Sequence, residues 1–213
     1  MRNLILYGGT FDPIHLGHLH TAINVQNHFN FQQFIFLPCK ISVLKNNAHA
    51  SPEQRVKMMS LAIAEYKNTY PFEIDTREIK RDSPSYMVTT LTDFRKESSD
   101  LLSITLLMGI DTFAQLPKWH QWQKLLSLAN IIVIDRPFHS TTLTNELQEL
   151  VNKHETTLSD QILHHSHGLI YRFNAGLYDF SSTKVREELF SQQQSDALPG
   201  VLVKYIKQHN LYK

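Results

Sequence analysis

The sequence predicts an α/β fold: a doubly wound parallel sheet with helices on both faces and a small helical extension at the C-terminal end. Two observations carry this expectation. Short, nearly continuous apolar runs, the mark of strands buried on both sides, alternate with longer segments whose apolar residues recur at helical spacing. The first of these runs is cut by Gly8-Gly9 just where a helical pattern begins, which is the strand-turn-helix hand-over of a βαβ unit.

Leu4 to Tyr7 is the first expected strand. Leu16, Leu19, Ile23 and Phe29 mark a helix through residue 29, and Phe34 to Leu37, closed by Pro38, gives a second strand. Ser51, Pro52 and Gln54 form a capping box with proline at the first helical position. They predict a helix from Pro52 to Tyr66 with Val56, Met59, Ile63 and Tyr66 on its apolar face. A weaker strand is expected over Phe72 to Ile79. Ser83-Pro84 should open a helix carrying Tyr86 to Phe94, and a strand over Leu101 to Met108 is stopped by Gly109. Trp119 to Leu128 reads as a helix, and Ile131 to Ile134 as a fifth strand closed by Asp135-Arg136-Pro137. Beyond it the pattern predicts a helix over Leu143 to His154, a short strand over Leu169 to Phe173, and helices over Thr183 to Phe190 and Val201 to His209. No repeat or low-complexity linker divides the chain. Residues 138–213 are therefore expected to pack on a core of residues 1–137 within one domain. In an open sheet of this kind, ligands bind beyond the carboxyl ends of the strands.

A chain of 213 residues can bury a substantial core without covalent staples. Its 21 Lys+Arg balance 20 Asp+Glu, which leaves no electrostatic footprint for nucleic acid or an anionic membrane and confines any phosphate chemistry to a cleft. The lone Cys39 excludes an internal disulfide framework and a cysteine-based zinc site, and fits a reducing compartment. The run before Gly8-Gly9 is too short for a secretory signal, and no stretch approaches a membrane span, so a cytoplasmic location is expected. The sequence leaves homo-oligomer formation open. His164-His165-Ser166-His167 lacks zinc-ligand spacing and reads as an exposed loop leading into Leu169.

The chemistry is densest at Gly8-Gly9-Thr10-Phe11-Asp12-Pro13-Ile14-His15-Leu16-Gly17-His18. Glycines let a backbone approach a phosphate, and a following helix start presents unpaired N–H groups to an anion. His15 and His18, three residues apart, project on a similar side and can donate ring N–H bonds to phosphate oxygens. The spacing fits neither a Walker loop nor the G-x-G-x-x-G dinucleotide pattern, so a phosphate site of another kind is implied.

This stretch resembles the T/HxGH signature of the nucleotidyltransferase superfamily, and its longer form is similar to the nicotinate mononucleotide adenylyltransferases of bacterial NAD synthesis. Phe180-Ser181-Ser182-Thr183-Lys184-Val185-Arg186 resembles the family's second phosphate motif. Gly109-Ile110-Asp111-Thr112-Phe113, Trp119-His120 and Arg136-Pro137 resemble the segments around the nicotinate, and Pro84-Ser85-Tyr86, Leu198-Pro199, Tyr205-Ile206 and Leu211-Tyr212 also match. The resemblance implies a Rossmann-like sheet and transfer of AMP from ATP, with Mg²⁺, to nicotinate mononucleotide.

It also implies roles. His15, His18, Lys45 and Arg186 would be the catalytic cations and donors. ATP would be lined by Gly8, Gly9, Thr10, Phe11, His15, Gly17, His18, Ser181, Ser182, Thr183 and Arg186, and no metal ligand is expected from the protein. Thr10, Lys45, Tyr86, Asp111, Trp119 and Arg136 would face the acceptor. On residue chemistry alone Lys45 also reads as a solvated lysine, Asp111 as a helix cap, Trp119 as packing and Arg136 as a turn arginine. Two positions depart from the family. Leu44 stands where a histidine is usual, which bears on the Lys45 loop, and Met87 stands where a threonine hydroxyl would lie near the nicotinate carboxylate. A pantetheine-phosphate adenylyltransferase, a cytidylyltransferase or an inactive nucleotide-binding module would share the first motif.

Overall fold

Six parallel strands form one sheet in the order β3-β2-β1-β4-β5-β6. In this computed structural model, residues 1–40, 48–98, 101–135, 141–176 and 180–213 are described. The strands are β1 (Arg2–Gly9), β2 (Gln33–Pro38), β3 (Phe72–Ile74), β4 (Leu102–Gly109), β5 (Asn130–Ile134) and β6 (Ile170–Phe173). The order runs outward from β1 to β3, then reverses at β4, so the switch point lies between the carboxyl ends of β1 and β4. That is where a doubly wound sheet opens a ligand crevice.

The central strands are apolar on both sides because both sides are covered. Ile5 and Leu107 pack into one core layer, whereas Leu4, Leu6, Ile104 and Leu106 pack into the other. The first layer is closed by α1 (Leu16–Phe29), α2 (Pro52–Ala64) and two later helices, α8 (Ser182–Phe190) and α9 (Gly200–Gln208). The second is closed by α4 (Met87–Glu97) and α6 (Asn145–His154). The remaining helices are single turns or little more: α3 (Arg77–Lys80), α5 (Ile110–Phe113) and α7 (Ser159–His164). Among the described residues no helix is long and apolar enough to cross a membrane.

The capping box at Ser51 forms as expected: Ser51 Oγ accepts from Gln54 N–H at 3.2 Å and Gln54 Oε1 accepts from Ser51 N–H at 2.8 Å. The buried face of α2 is rotated from the expected one, however, and consists of Arg55, Met58, Met59, Ala62 and Ile63, with Val56 only half-buried. Two other expectations are corrected. The strand expected to reach Ile79 ends at Ile74, because Asp75 Oδ1 accepts from Arg77 N–H at 2.7 Å and turns the chain into α3. Trp119 to Leu128 is not one helix. Two 3₁₀ pieces, Leu116–Lys118 and Trp122–Ser127, flank Gln121, whose φ of 50° breaks any continuous helix there.

Two arginines close the sheet ends, Arg95 half-buried and Arg55 fully buried. Arg95 donates to the carbonyls of Leu128, Leu102 and Ser166 at 2.6–2.8 Å, at the amino ends of β4 and β5. Arg55 serves the opposite edge, where the candidate site lies.

Candidate active site

The turn after β1 is shaped by three local constraints. Phe11 adopts a left-handed conformation (φ 50°), the Asp12-Pro13 bond is cis, and His15 takes an extended backbone as the N-cap of α1. Phe11 folds back so that a Cβ on Gly9 would stand 3.0 Å from its ring. Gly8 faces Met87, whose Cε lies 3.0 Å from where a Cβ would be. Gly17 is pinched between His15 and Phe180, with a Cβ 3.0 Å from the imidazole and 3.2 Å from Phe180 Cβ. The three glycines therefore serve close packing of the turn, which approach to a ligand alone did not reveal.

The His15 and His18 rings lie against each other at a centroid distance of 3.8 Å with their planes tilted by 36°, and His18 is also edge-on to Phe11 at 5.0 Å. The backbone N–H of His15 donates to His18 Nδ1 at 3.3 Å. An accepting Nδ1 puts the proton of a neutral ring on Nε2, which makes His18 a donor at that atom. The same bond satisfies an N–H at the start of α1, so His18 caps the helix and aims its own ring at once.

The second motif docks on this turn from about 170 residues away. Ser182 Oγ donates to the Pro13 carbonyl at 3.0 Å, and Arg186 Nη1 donates to the Asp12 carbonyl at 2.8 Å. Arg186 Nη2 also reaches Thr183 Oγ1 at 3.4 Å. Ser181 caps α8 by accepting from Lys184 N–H at 3.2 Å, so the N–H groups of that helix start beside the turn. The structure thus gathers Gly8, Gly9, Thr10, Phe11, His15, Gly17 and His18 with Ser181, Ser182, Thr183 and Arg186.

Sequence reasoning missed two residues here. Arg55 is fully buried (0% exposed). It donates to the carbonyls of Thr10 (2.5 Å), Cys39 (2.8 Å) and Lys40 (3.2 Å), tying the chain after β1 to the chain after β2. Asp12 is 5% exposed, and its carboxylate accepts from the N–H groups of His49 (2.7 Å) and Ala50 (3.1 Å). The available signal for Arg55 was an arginine at helical spacing from Met58, Met59 and Ala62, a face whose burial would oblige the charge to find several partners.

Tyr86 is the N-cap of α4, and its ring lies tilted by 31° against His120 at 4.4 Å. Trp119 packs half-buried against the second core layer, and its Nε1 is buried with no hydrogen-bond partner among the described residues. Asp111 lies within α5, whose N-cap is Gly109, and accepts from Thr141 Oγ1 at 3.1 Å, so it does not cap that helix. Lys45 and Arg136, like Leu44, lie outside the described residues. Cys39 is half-buried and its Sγ sits 3.7 Å from Thr10 Oγ1; burial pushes its thiol pKa up, which makes it a poor nucleophile.

The arm carrying Tyr86 rests on Glu78, which is 2% exposed and accepts from Thr90 Oγ1 at 2.7 Å. Burial raises its pKa above the ordinary 4.5, against smaller lowering effects of the Thr90 hydroxyl and Arg81. A raised carboxyl pKa gives a stability contribution that is complete below 4.5 and lost as pH rises. Glu78→Gln, which keeps the acceptor oxygen, is therefore expected to gain stability relative to the wild type between pH 4 and pH 7. Urea melts across that range would refute this if the difference stayed constant or changed the other way.

Comparison with known proteins sharpens this geometry. A cytidylyltransferase-like family model matches residues 6–188, which contain both phosphate motifs. Proteins of Legionella pneumophila strains Lens and Paris, named probable nicotinate-nucleotide adenylyltransferase, are 44% identical over 217 residues and cover 100% of each chain. The chain belongs to the nicotinate-nucleotide adenylyltransferase family. A family member from Methylococcus capsulatus is 35% identical, covering 97% of this chain and 98% of its own. Among solved structures, Plasmodium falciparum nicotinic acid mononucleotide adenylyltransferase complexed with NaAD superposes with a TM-score of 0.72 at 18% identity, over 100% of this chain and 98% of that one. The same protein complexed with APC gives 0.70 at 17% identity and the same coverage. At such identities the likeness speaks for the Rossmann-like fold, and the expected family fold is the one observed.

Proposed function

We propose that the protein transfers the adenylyl group of ATP to nicotinate mononucleotide, forming nicotinate adenine dinucleotide and releasing pyrophosphate. The observation that carries this reading is the docking of Ser182 and Arg186 onto the Pro13 and Asp12 carbonyls, which joins two phosphate-type motifs at one strand end. A phosphate oxygen of the acceptor attacks the α-phosphorus, and the bond from that phosphorus to the oxygen bridging to the β-phosphate breaks. The acceptor supplies its own nucleophile, so the protein positions an in-line attack and neutralises charge on the nonbridging oxygens.

In this reading His15 and His18 hold the α- and β-phosphates, with the Nε2 proton of His18 as a donor. Ser181, Thr183 and Arg186 take the outgoing pyrophosphate, for which a guanidinium fork is suited. Gly8, Gly9, Phe11, Gly17 and Ser182 shape the ATP cradle, and Thr10 faces the acceptor phosphate. ATP enters as its Mg²⁺ complex. Asp12, the carboxylate within the turn, has both oxygens engaged by backbone N–H groups, so the ion would rest on phosphate oxygens and water. Lys45 and Arg136 are carried as further cations.

On the acceptor side, Tyr86 and Trp119 offer ring faces for the pyridine, and Asp111 an acceptor for ribose hydroxyls. Met87 opens α4, and the first N–H groups of a helix have no intrahelical acceptor. A nicotinate carboxylate can be held there by backbone, whatever side chain occupies position 87. The whole chain acts as one catalytic unit in this reading, since residues 138–213 supply both β6 and α8. A cytoplasmic location is carried with it, supported by the lone thiol of Cys39.

Pyrophosphate release with ATP and Mg²⁺ tests the assignment directly, using nicotinate mononucleotide, nicotinamide mononucleotide and phosphopantetheine as acceptors. Strong preference for the nicotinate acceptor is expected. Release only with another acceptor would keep adenylyl transfer and overturn the acceptor, and no release with any of them would leave a binding module.

A further inference from the structure

Asp12 is the meeting point of four segments distant in sequence. Its Oδ1 accepts from the Tyr212 hydroxyl at 2.7 Å as well as from Ala50 N–H, its Oδ2 accepts from His49 N–H, and its carbonyl accepts from Arg186. Residues 49–50 lead into α2, Arg186 stands on α8, and Tyr212 follows α9. We propose that Tyr212 and Asp12 are positioning residues for ATP: the hydroxyl holds the Asp12 carboxylate and through it fixes both the His15–His18 turn and the guanidinium of Arg186. The inference rests on the assignment of that turn and α8 to ATP.

A second observation points the same way. Tyr212 (φ 57°) and Phe11 (φ 50°) both adopt the left-handed region that bulky side chains rarely enter, one on each side of the Asp12 hydrogen bond. Tyr212 is nevertheless 6% exposed, so its placement is set by packing and by its bond to Asp12. Burial above all, and then the Asp12 charge, push the tyrosine pKa well above its ordinary value, which keeps the hydroxyl a donor across the physiological range. The device also answers an electrostatic difficulty. A carboxylate beside a triphosphate site repels its ligand, and here three donors and the neighbouring Arg186 offset that charge.

The experiment uses the full chain with Tyr212→Phe, which removes only the hydroxyl, and Asp12→Asn, which keeps the Oδ1-type acceptor but loses the charge and the Oδ2 acceptor of the His49 N–H. Calorimetric titration with ATP and Mg²⁺, without acceptor, is run beside steady-state kinetics and melting curves. Tyr212→Phe is expected to weaken ATP binding and raise KM for ATP about tenfold, the scale of one hydrogen bond to a charged group. KM for nicotinate mononucleotide should change less than about twofold, on the same scale of a contact left intact. Asp12→Asn, whose amide nitrogen would face the His49 N–H that Oδ2 now accepts, should weaken ATP binding at least as much as Tyr212→Phe. Unchanged ATP affinity in Tyr212→Phe, with or without a lower Tm, would reduce Tyr212 to a fold-stabilising residue and overturn the proposal. So would an equal rise in both KM values, or a wild type that does not bind ATP. A wild type that binds ATP but adenylylates no acceptor would sink the reaction and leave the titration to decide the role of Tyr212.

Discussion

Replacing His18 with alanine is expected to lower kcat for adenylyl transfer about a hundredfold to a thousandfold, the usual effect of deleting one donor aimed at developing charge. The size follows from two features. Nδ1 accepts the His15 N–H at 3.3 Å, which leaves the neutral ring no choice but to carry its proton on Nε2. The ring is also clamped between His15 at 3.8 Å and Phe11 at 5.0 Å, so the donor is held in place before the ligand arrives. Removing the ring also leaves the His15 N–H without its acceptor at the start of α1, at a cost of about 1 kcal/mol, typical of a lost cap. That stability loss is too small to explain the rate. Kinetics below the melting transition separate the two effects: a kcat within tenfold of the wild type would remove His18 from the catalytic set, even if Tm fell.

Arg55→Ala should be the most damaging change to stability that leaves every phosphate-facing side chain in place. The guanidinium is fully buried and serves the carbonyls of Thr10, Cys39 and Lys40. Alanine leaves those acceptors without a donor in a space water does not readily fill, and opens a cavity beneath the turn. A loss of about 4 kcal/mol is expected, from buried acceptors at about 1–3 kcal/mol each, discounted for relaxation. For a chain of this size that corresponds to a Tm lower by about 10 °C. Arg55→Lys keeps the charge but not the fork, so it should recover only part of the loss. A change below about 1 kcal/mol for Arg55→Ala, measured by denaturant melts, would show that these bonds contribute little net stability.

Much of the sheet could be read from the chain because burial on both sides leaves its own pattern. Leu4 to Tyr7, Phe34 to Leu37 and Ile131 to Ile134 are strands where apolar residues run without alternation. Ser51-Pro52 fixed the start of α2 through bonds within four residues. Failures came where side chains or backbone strain overrule propensity. Asp75 ends β3 early, and the left-handed Gln121 breaks what looked like one helix after Trp119.

The candidate site divides along the same line. Local chemistry alone determined the turn after β1 and its histidines, since glycines, a helix start and two imidazoles within eleven residues form a donor-rich surface wherever the chain goes. The stop of β4 at Gly109 and the capping serine of α8 were local as well. Only the tertiary structure decided that Arg186 meets Asp12, that Gly17 lies against Phe180, that Arg55 is a buried tie and not a solvated charge, and that Tyr212 reaches the turn. The physical reason is the range of the forces. Caps, turns and periodicity act over a few residues and leave marks in sequence, whereas these contacts exist only after the sheet has brought together segments as far apart as Asp12 and Tyr212.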